Sequence, residues 1–237
     1  MEYINRLVEE CLSEEGDSLE FKSRFIGDEG LEALMLADKL EEIENLDLSK
    51  NNLTHRGILH LARSDRWVKL KRLYLGENNI GDKGAVPLSQ AAFIPNLVHM
   101  DIRFNNIGSQ GGLALAQGAF KKVQVFIAQD NPIGDEALIT MAKNPGFMHV
   151  RKLNVYRTQI TDLGIKTLAK SKVFKKLKHL NLARNVLRLD AALALAKTKT
   201  LLNIETLLML DTFIGEKGVD ALLKSESLSK LKTLRLT

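Results

Sequence analysis

Apolar and polar positions along the chain follow two periods that alternate. In the stretch NLDLSKNNLTHRGILHLA, which covers residues 45–62, apolar residues first alternate with polar ones and then recur every three or four positions. Alternation places apolar side chains on one face of a strand, whereas the longer spacing places them on one face of a helix. The pattern therefore predicts a short strand, a tight turn and a helix.

The same switch recurs at a nearly fixed interval. The residue that follows each strand segment defines a ladder row, which consists of Arg24, Asn51, Asn78, Asn105, Asn131, Thr158, Asn185 and Thr212. Successive members lie 27 residues apart, except for one step of 26 between Asn105 and Asn131. A fixed period of this length predicts a solenoid, in which each unit buries its apolar face against its neighbours.

The positions around the ladder row give each unit a common pattern. Apolar residues precede the row by three, five and eight positions, as Leu48, Leu46 and Ile43 precede Asn51. A small residue follows the row by six positions and a long apolar residue by ten, as Gly57 and Leu61 do. Because a spacing of four keeps both on one helical face, we expect the small residue to let the helix lie close to the strand.

These spacings combine to LxxLxLxxNxIxxxGxxxLA, which resembles the ribonuclease-inhibitor type of leucine-rich repeat over nearly all of residues 18–237. The resemblance implies an α/β horseshoe of about eight units, with a parallel sheet on its concave side and helices on its convex side. It also implies that the asparagines of the ladder row bond the backbone of the turns. Thr158 and Thr212 can do the same, whereas Arg24 indicates a variant first unit.

The two ends of the solenoid differ in sequence. Apolar residues recur at helical spacing from Tyr3 to Leu12, which predicts a capping helix and divides the chain into a cap, 1–17, and a repeat domain, 18–237. Near the other end, Leu231, Leu234 and Leu236 continue the strand pattern. That strand is itself the cap, or else a partner, a second copy or further sequence covers it.

The single 26-residue step leaves the register of residues 123–131 open. Continuing the row literally buries Phe126 and Ala128 and turns Val125 and Ile127 to the concave side. A slip by one residue would reverse these faces. We prefer the literal register, because a slip would need a compensating bulge before Asn131.

Charge is distributed unevenly along the chain. Residues 1–50 hold fifteen Asp and Glu against five Lys and Arg, which leaves 14 acidic and 29 basic residues in the remainder. Many basic residues directly precede strands and are expected to line one rim: Lys69, Lys71, Lys121, Lys122, Arg151, Lys176, Lys178, Lys230 and Lys232. Such cations stabilise the carboxyl ends of helices and keep the protein soluble, or they bind an acidic partner. Nucleic acid is the less favoured partner.

The sequence favours a protein without catalysis, cofactor or metal. Asp28, Asp82, Asp135, Asp162 and Glu216 follow a glycine or threonine at the expected helix N-caps, so we assign them to first helical turns rather than to metal or phosphate sites. His99 and His179 stand three units apart, or about 14 Å, which is too far for one metal ion.

The composition also indicates where in the cell the protein is located. The single cysteine, Cys11, forms no intramolecular disulfide, and no apolar run is long enough to span a membrane. We therefore expect no membrane partner and a cytoplasmic location, either in the cell of origin or, for a secreted effector, in a host cell.

The predicted partner surface consists of strand side chains that point away from the core and of residues at the adjoining rim. These candidates are Arg72, Tyr74, Asp101, Arg103, Phe104, Ile127, Lys152, Tyr156, Arg157 and Arg184. Aromatic residues among arginines are typical of binding hot spots, so we predict a protein-binding module. Self-association through the C-terminal end is left open.

The alternative is a regulator of a signalling protein. The resembled family includes activators of a nuclear transport GTPase, which carry catalytic loops between strand and helix. The nearly constant repeat spacing leaves no room for such insertions.

Overall fold

The computed structural model describes residues 2–38 and 40–236. Strands of three residues alternate with short helices along this part of the chain. The helices are α1 (Glu2–Cys11), α2 (Gly27–Leu34), α3 (His55–Arg63), α4 (Gly81–Ser89), α5 (Ser109–Gln117), α6 (Gly134–Met141), α7 (Asp162–Leu168), α8 (Leu189–Ala196) and α9 (Gly215–Leu223). The strands are β1 (Ser18–Glu20), β2 (Asn45–Asp47), β3 (Arg72–Tyr74), β4 (His99–Asp101), β5 (Val125–Ile127), β6 (Lys152–Asn154), β7 (His179–Asn181), β8 (Thr206–Leu208) and β9 (Thr233–Arg235).

All nine described strands form one parallel sheet in chain order. Each strand residue pairs with the equivalent residue of the next unit, as Leu46 does with Leu73 and Met100 with Phe126, so equivalent side chains stack along the sheet. Neighbouring helices pack in the same order. The predicted α/β solenoid with one repeating unit is therefore confirmed.

The literal register at the 26-residue step is also confirmed. His99 pairs with Val125 and Met100 with Phe126. Phe126 and Ala128 are fully buried. The unit is shortened after α5, where the chain returns to the sheet, and the strand pattern itself is unchanged.

The core contains a row of large side chains that the strand and helix patterns did not single out. These residues lie eleven positions before the ladder row and include Trp67, Phe120, Phe147 and Phe174, all buried. The ring centroids of Phe120 and Phe147 lie 5.2 Å apart, and those of Phe147 and Phe174 lie 6.3 Å apart. Aromatic contacts therefore continue from unit to unit beneath the returning chain.

The ladder asparagines connect each turn to its neighbour. The Asn105 side-chain amide donates to the Leu75 and Ile102 carbonyls at 2.8 and 3.0 Å. The Asn131 Oδ1 accepts from the Asn105 and Ile107 backbone N–H groups, both at 3.0 Å. Thr158 Oγ1 donates to its own strand carbonyl at Val155 and to the Asn185 side chain.

Aspartates at the helix starts form a second ladder. Asp135 Oδ1 accepts from the Thr161 and Gly164 N–H groups of the next unit at 2.8 and 3.1 Å. Asp82 accepts from Gly108 and Gly111 in the same way, at 2.6 and 2.9 Å. The predicted position in first helical turns is correct, and each of these carboxylates also caps the following helix.

This second ladder explains the small residue of the repeat. A Cβ atom on Gly164 would lie 2.5 Å from Asp135 Oδ1, and one on Gly111 would lie 2.6 Å from Asp82 Oδ1. The expectation that the small residue permits close packing on the strand was therefore wrong for these units. The glycine makes room for the carboxylate of the preceding unit.

Helix starts that lack a preceding aspartate use another solution. Gly81 and Gly134 adopt positive φ values of 60° and 73°. Their N–H groups donate to the backbone carbonyls of Asn105 and Thr158 in the following unit. These glycines are the first helical residues rather than the predicted N-caps, because the left-handed turn directs the amide toward the next ladder residue.

A third ladder satisfies carbonyls at the helix ends. The hydroxyls of Ser171, Thr198 and Ser225 donate to the carbonyls of Ala142, Ala169 and Ala196 of the preceding unit at 2.6, 2.7 and 2.7 Å. The last carbonyls of a helix have no partner within it. Each such hydroxyl therefore closes the helix that precedes it.

The helix α1 lies over the first unit. Ile4, Leu7 and Cys11 are buried against the core, and Leu12 forms a bridge to Leu19 of β1. Burial raises the pKa of the Cys11 thiol, so it packs as an apolar side chain.

Replacing Asn105 with alanine tests the ladder. Because the side chain satisfies several buried backbone groups, we expect Asn105→Ala to lower the unfolding free energy by about 1–3 kcal/mol. The matched control is Asn96→Ala on the surface, which should stay within about 0.5 kcal/mol of wild type. Chemical denaturation measures both, and equal small effects would contradict the role of the ladder.

Candidate functional site

The concave face is formed by two positions of each strand and by the residue two positions after the strand ends. The parallel register places Arg72 beside His99 and Lys152 beside His179 in one row. Tyr74 belongs to the next row, and Arg103 and Tyr156 to the third. Arg72, Arg103 and Lys152 are exposed, and Tyr74 and Tyr156 are partly exposed.

Tyr74 and His99 stack on this face. Their ring centroids lie 4.6 Å apart with the planes tilted by 41°. Burial lowers the pKa of His99 and raises the pKa of Tyr74, so both rings are neutral at pH 7. The His99 Nε2 is buried and has no hydrogen-bond partner within the described chain.

The structure assigns Asp101 a supporting role. Its side chain is 1% exposed, and Oδ1 accepts from the Arg103 backbone N–H at 3.1 Å and from Arg103 Nε at 3.2 Å. The expectation that Asp101 contacts a partner directly therefore needs correction. Its carboxylate holds the Arg103 side chain across Gly76 while the arginine remains exposed.

Ile127 is also less accessible than expected. It turns to the predicted concave side but is 7% exposed, between Asp101 and Asn154 in the same row. Neighbouring strands are about 4.8 Å apart, so side chains in the middle of the sheet cover one another. Further along the sheet, Lys152 and His179 line a cavity of about 430 Å³.

Arg184 is fixed by two neighbouring groups. Its guanidinium carbon lies 5.7 Å from the centre of the Tyr156 ring, and its Nε donates to Asp211 at 2.9 Å. These contacts order the side chain without burying it, because Arg184 is exposed. Tyr156 and Arg184 thus form one rigid pair at the edge of the concave face.

The residue directly before the ladder row adopts a left-handed conformation in every unit. The φ values lie between 51° and 59° for Ser23, Lys50, Glu77, Phe104, Asp130, Arg157, Arg184 and Asp211. Such values are costly for residues other than glycine, asparagine and aspartate. The tight turn after each strand therefore places one side chain of every unit at this rim.

Most side chains of this rim row pair with a neighbour. Lys50 pairs with Glu77 at 3.2 Å, and Arg157 pairs with Asp130 at 3.2 Å. Phe104 interrupts the charge pairing, because it stands between Glu77 and Asp130 and is 43% exposed. An aromatic residue there has the strain of the turn without the compensating ion pair.

Phe104 borders a groove along the rim. The groove has a volume of about 480 Å³ and runs from Phe104 past Pro132 to Val186. Arg157 and Arg184 line the same groove. Apolar side chains therefore alternate with fixed charges over four successive units.

The sequence-predicted candidates fall into two connected groups. Arg72, Tyr74 and Arg103 lie together on the first part of the concave face, and Lys152 lies further along the sheet. Phe104, Tyr156, Arg157 and Arg184 form the second group at the rim. In the sequence, His99 was considered as a metal ligand and set aside. Its stacking with Tyr74 depends on pairing between neighbouring strands.

The opposite rim, where helices return to strands, contains many internal ion pairs. Lys69 and Lys71 pair with Glu42 and Glu44 at 2.6 and 2.5 Å. Lys178 and Lys232 both pair with Glu205, at 2.6 and 2.8 Å. Part of the predicted basic rim is therefore neutralised by the chain itself.

The described residues contain no group of three or more His, Cys, Asp or Glu that could hold a metal ion. Within that same part of the chain, every helix is too short or too polar to cross a bilayer.

Comparison with a protein-family model agrees with the repeat geometry. The model described as Leucine Rich repeat matches residues 68–89, 94–116 and 148–169. These three segments are similar to leucine-rich repeats. A comparison with curated proteins gave no significant sequence match.

Solved structures share this fold at low sequence identity. A chain of the Rad7 and Elc1 complex in yeast has a TM-score of 0.56 and 16% identity, covering 98% of this chain and 71% of that one. A chain of the TLR13–ssRNA13 complex has a TM-score of 0.54 and 16% identity, covering 93% of this chain and 32% of that one. At such identity the likeness concerns the fold.

The two ion pairs of Glu205 make the stability of the folded protein depend on pH. Hydrogen bonds from Lys178 and Lys232 lower the pKa of Glu205 from 4.5 to about 2. Because the folded-state pKa is depressed, its contribution is present above the unfolded-state value and is lost as the pH falls toward 2. We expect Glu205→Gln to destabilise the protein near neutral pH by more than it does at about pH 3.

Denaturation midpoints at both pH values measure this difference. Glu226→Gln is the control on the same rim, because Glu226 forms no ion pair within the described chain. A Glu205→Gln effect that is independent of pH would contradict the assignment.

Phe104→Asn tests whether this aromatic serves stability. Asparagine tolerates the left-handed conformation, so we expect the unfolding free energy to stay unchanged or rise by up to about 1 kcal/mol. Phe213→Asn is the control, because Phe213 is 70% exposed and lies on the same side of the molecule. A loss greater than about 1 kcal/mol for Phe104→Asn alone would show that Phe104 has a packing role.

Proposed function

We propose that this leucine-rich repeat chain is a non-catalytic protein-binding module whose partner lies on the concave face and on the rim that contains Phe104. One observation carries the proposal. Arg103 and Arg184 are held in place by Asp101, Tyr156 and Asp211 and yet remain exposed. Ordered arginines beside exposed aromatic rings bind with little further loss of side-chain entropy.

Phe104 adds an apolar anchor to this surface. The turn forces residue 104 into a strained conformation, and the exposed ring gains no ion pair within the chain. Residues held in a strained backbone conformation by the surrounding structure are frequent at ligand-binding sites. The groove beside the ring can accept an apolar side chain of a partner.

Regulation by GTPase activation is less well supported. Strands and helices are joined by short turns in every unit, as between β4, which ends at Asp101, and α5, which begins at Ser109. The turn residues form ladder bonds rather than an extended catalytic loop. Binding without catalysis therefore fits the structure better.

The two solved complexes are consistent with a binding role only in a general sense. One pairs Rad7 with Elc1, and the other contains TLR13 with single-stranded RNA. A shared fold does not transfer a partner at this identity. The proposal for this chain rests on its own exposed side chains.

A triple variant tests the proposed surface. In Tyr74→Ala, Arg103→Ala, Tyr156→Ala, binding to proteins captured from a cell extract by the wild type should fall at least tenfold. The matched control is Arg63→Ala, Lys83→Ala, Lys217→Ala on the helices, which should bind like wild type. Quantitative pull-down measures binding, and thermal unfolding verifies the fold of each variant. Equal capture by both folded variants would refute the proposal that the partner binds the concave face.

A further inference from the structure

The rim where helices return to strands becomes strongly basic in the second half of the chain. Its connections at 118–124, 142–151, 169–178 and 197–205 contain a single acidic residue, Glu205. They contain Lys121, Lys122, Lys143, Arg151, Lys170, Lys172, Lys175, Lys176, Lys178, Lys197 and Lys199. In contrast, the connection at 35–44 is dominated by acidic residues.

Internal ion pairs neutralise the first part of this rim but not the second. Glu41, Glu42 and Glu44 pair with Arg66, Lys69 and Lys71 of the next unit. Among the eleven basic residues of the later connections, Lys178 alone forms an ion pair within the described chain. The positive field of the second half is therefore directed to solvent.

A groove with an apolar floor lies in this basic region. It has a volume of about 630 Å³ between α7 and α8. Lys166, Lys170, Lys197 and Lys199 surround a floor of Ala169, Leu193 and Ala194. We call this feature the basic groove.

The groove has a structural origin in the two helices. The sequence of α8, LDAALALA, places small side chains on the side that faces the groove. Thr198 and Thr200 both donate to the Ala169 carbonyl, at 2.7 and 3.0 Å, and fix the connection beyond α8. Because Lys166 pairs with Asp190, three lysines of the groove remain without an ion pair in the described chain.

The apolar floor and the cationic edges of the basic groove together select one class of ligand. A nucleic-acid backbone would pair with the ammonium groups but would leave the floor empty, and the exposed large side chains on this rim, Met148 and Leu202, are not aromatic stacking platforms. A flat bilayer surface would not reach a recessed floor. An acidic peptide with an apolar side chain would satisfy both parts of the groove.

We propose that the basic groove is a second protein-binding site, which takes an acidic segment of a partner with one apolar side chain on the alanine and leucine floor. The site lies on the convex side of the rim, apart from the concave face. Carboxylates of the segment pair with Lys170, Lys197 and Lys199.

Labelled synthetic peptides test the proposal by fluorescence anisotropy. The probes are a glutamate-rich peptide with one central leucine, an all-glutamate peptide of equal length, a lysine-rich analogue and a single-stranded RNA. We expect the leucine-containing acidic peptide to bind about tenfold tighter than the all-glutamate peptide, because the leucine leaves water. Its affinity should fall as salt rises.

Two sets of variants locate the binding. Lys197→Glu, Lys199→Glu should weaken the leucine-containing peptide at least tenfold, whereas Lys83→Glu, Lys217→Glu makes the same change in net charge elsewhere and should have less than a twofold effect. Ala194→Trp fills the floor, so it should remove the advantage of leucine and leave the all-glutamate peptide unchanged. If the double glutamate variant does not fold, Lys197→Gln, Lys199→Gln replaces it.

Several results would overturn the proposal. Equal affinity for the leucine and all-glutamate peptides would show that the floor is unused, and tighter binding of RNA would assign the rim to a polyanion. Equal losses in the groove and control variants would show general electrostatics only. The concave triple variant should keep its peptide affinity, so failure here is separate from failure of the concave surface.

Discussion

Backbone polar groups at the ends of very short helices must find partners, and the structure meets this requirement through side chains of adjacent units. The helices that pack along the solenoid contain seven to nine residues, so most of their N–H or C=O groups lie near an end. Asparagine side chains bond backbone groups of the turns, aspartates accept from N–H groups at the helix starts, and hydroxyls donate to carbonyls at the helix ends. A single unit lacks these partners, which is why the units stack in register.

The sequence was sufficient for the fold because the ladder row and the apolar positions share one period. It also predicted the register of residues 123–131, since the literal pattern buried Phe126. The aspartate ladder was missed because Asp135 and its equivalents were assigned only to the start of their own helix, where Gly134 precedes the acid with a positive φ. Recognising it requires knowing that the carboxylate reaches the next unit rather than its own helix.

The candidate surface was predicted in outline and corrected in detail. Alternation along a strand shows which side chains leave the core, but it does not show how neighbouring strands cover one another. Asp101 and Ile127 were therefore expected to be accessible and are buried. The strained rim row was invisible in sequence, because its φ values follow from the turn and not from glycine or asparagine residues.

Stability and recognition use different sides of the same units. The three ladders lie where a unit meets its neighbours. At the surface, Arg103 and Arg184 are held by neighbouring side chains, whereas Phe104 is positioned by its left-handed turn. The basic groove similarly depends on the short side chains of α8, whose buried face still completes the core. Surface residues can therefore change without loss of the stack.

Amide hydrogen exchange of the free protein tests the central claim most directly. Leu53, Ile107 and Ile160 lie outside strands and helices, and their N–H groups donate to ladder asparagines of the following unit. If side chains of neighbours close each unit, these amides exchange as slowly as those of the central strands. Exchange at the rate of exposed loops, with protected strands, would contradict the account.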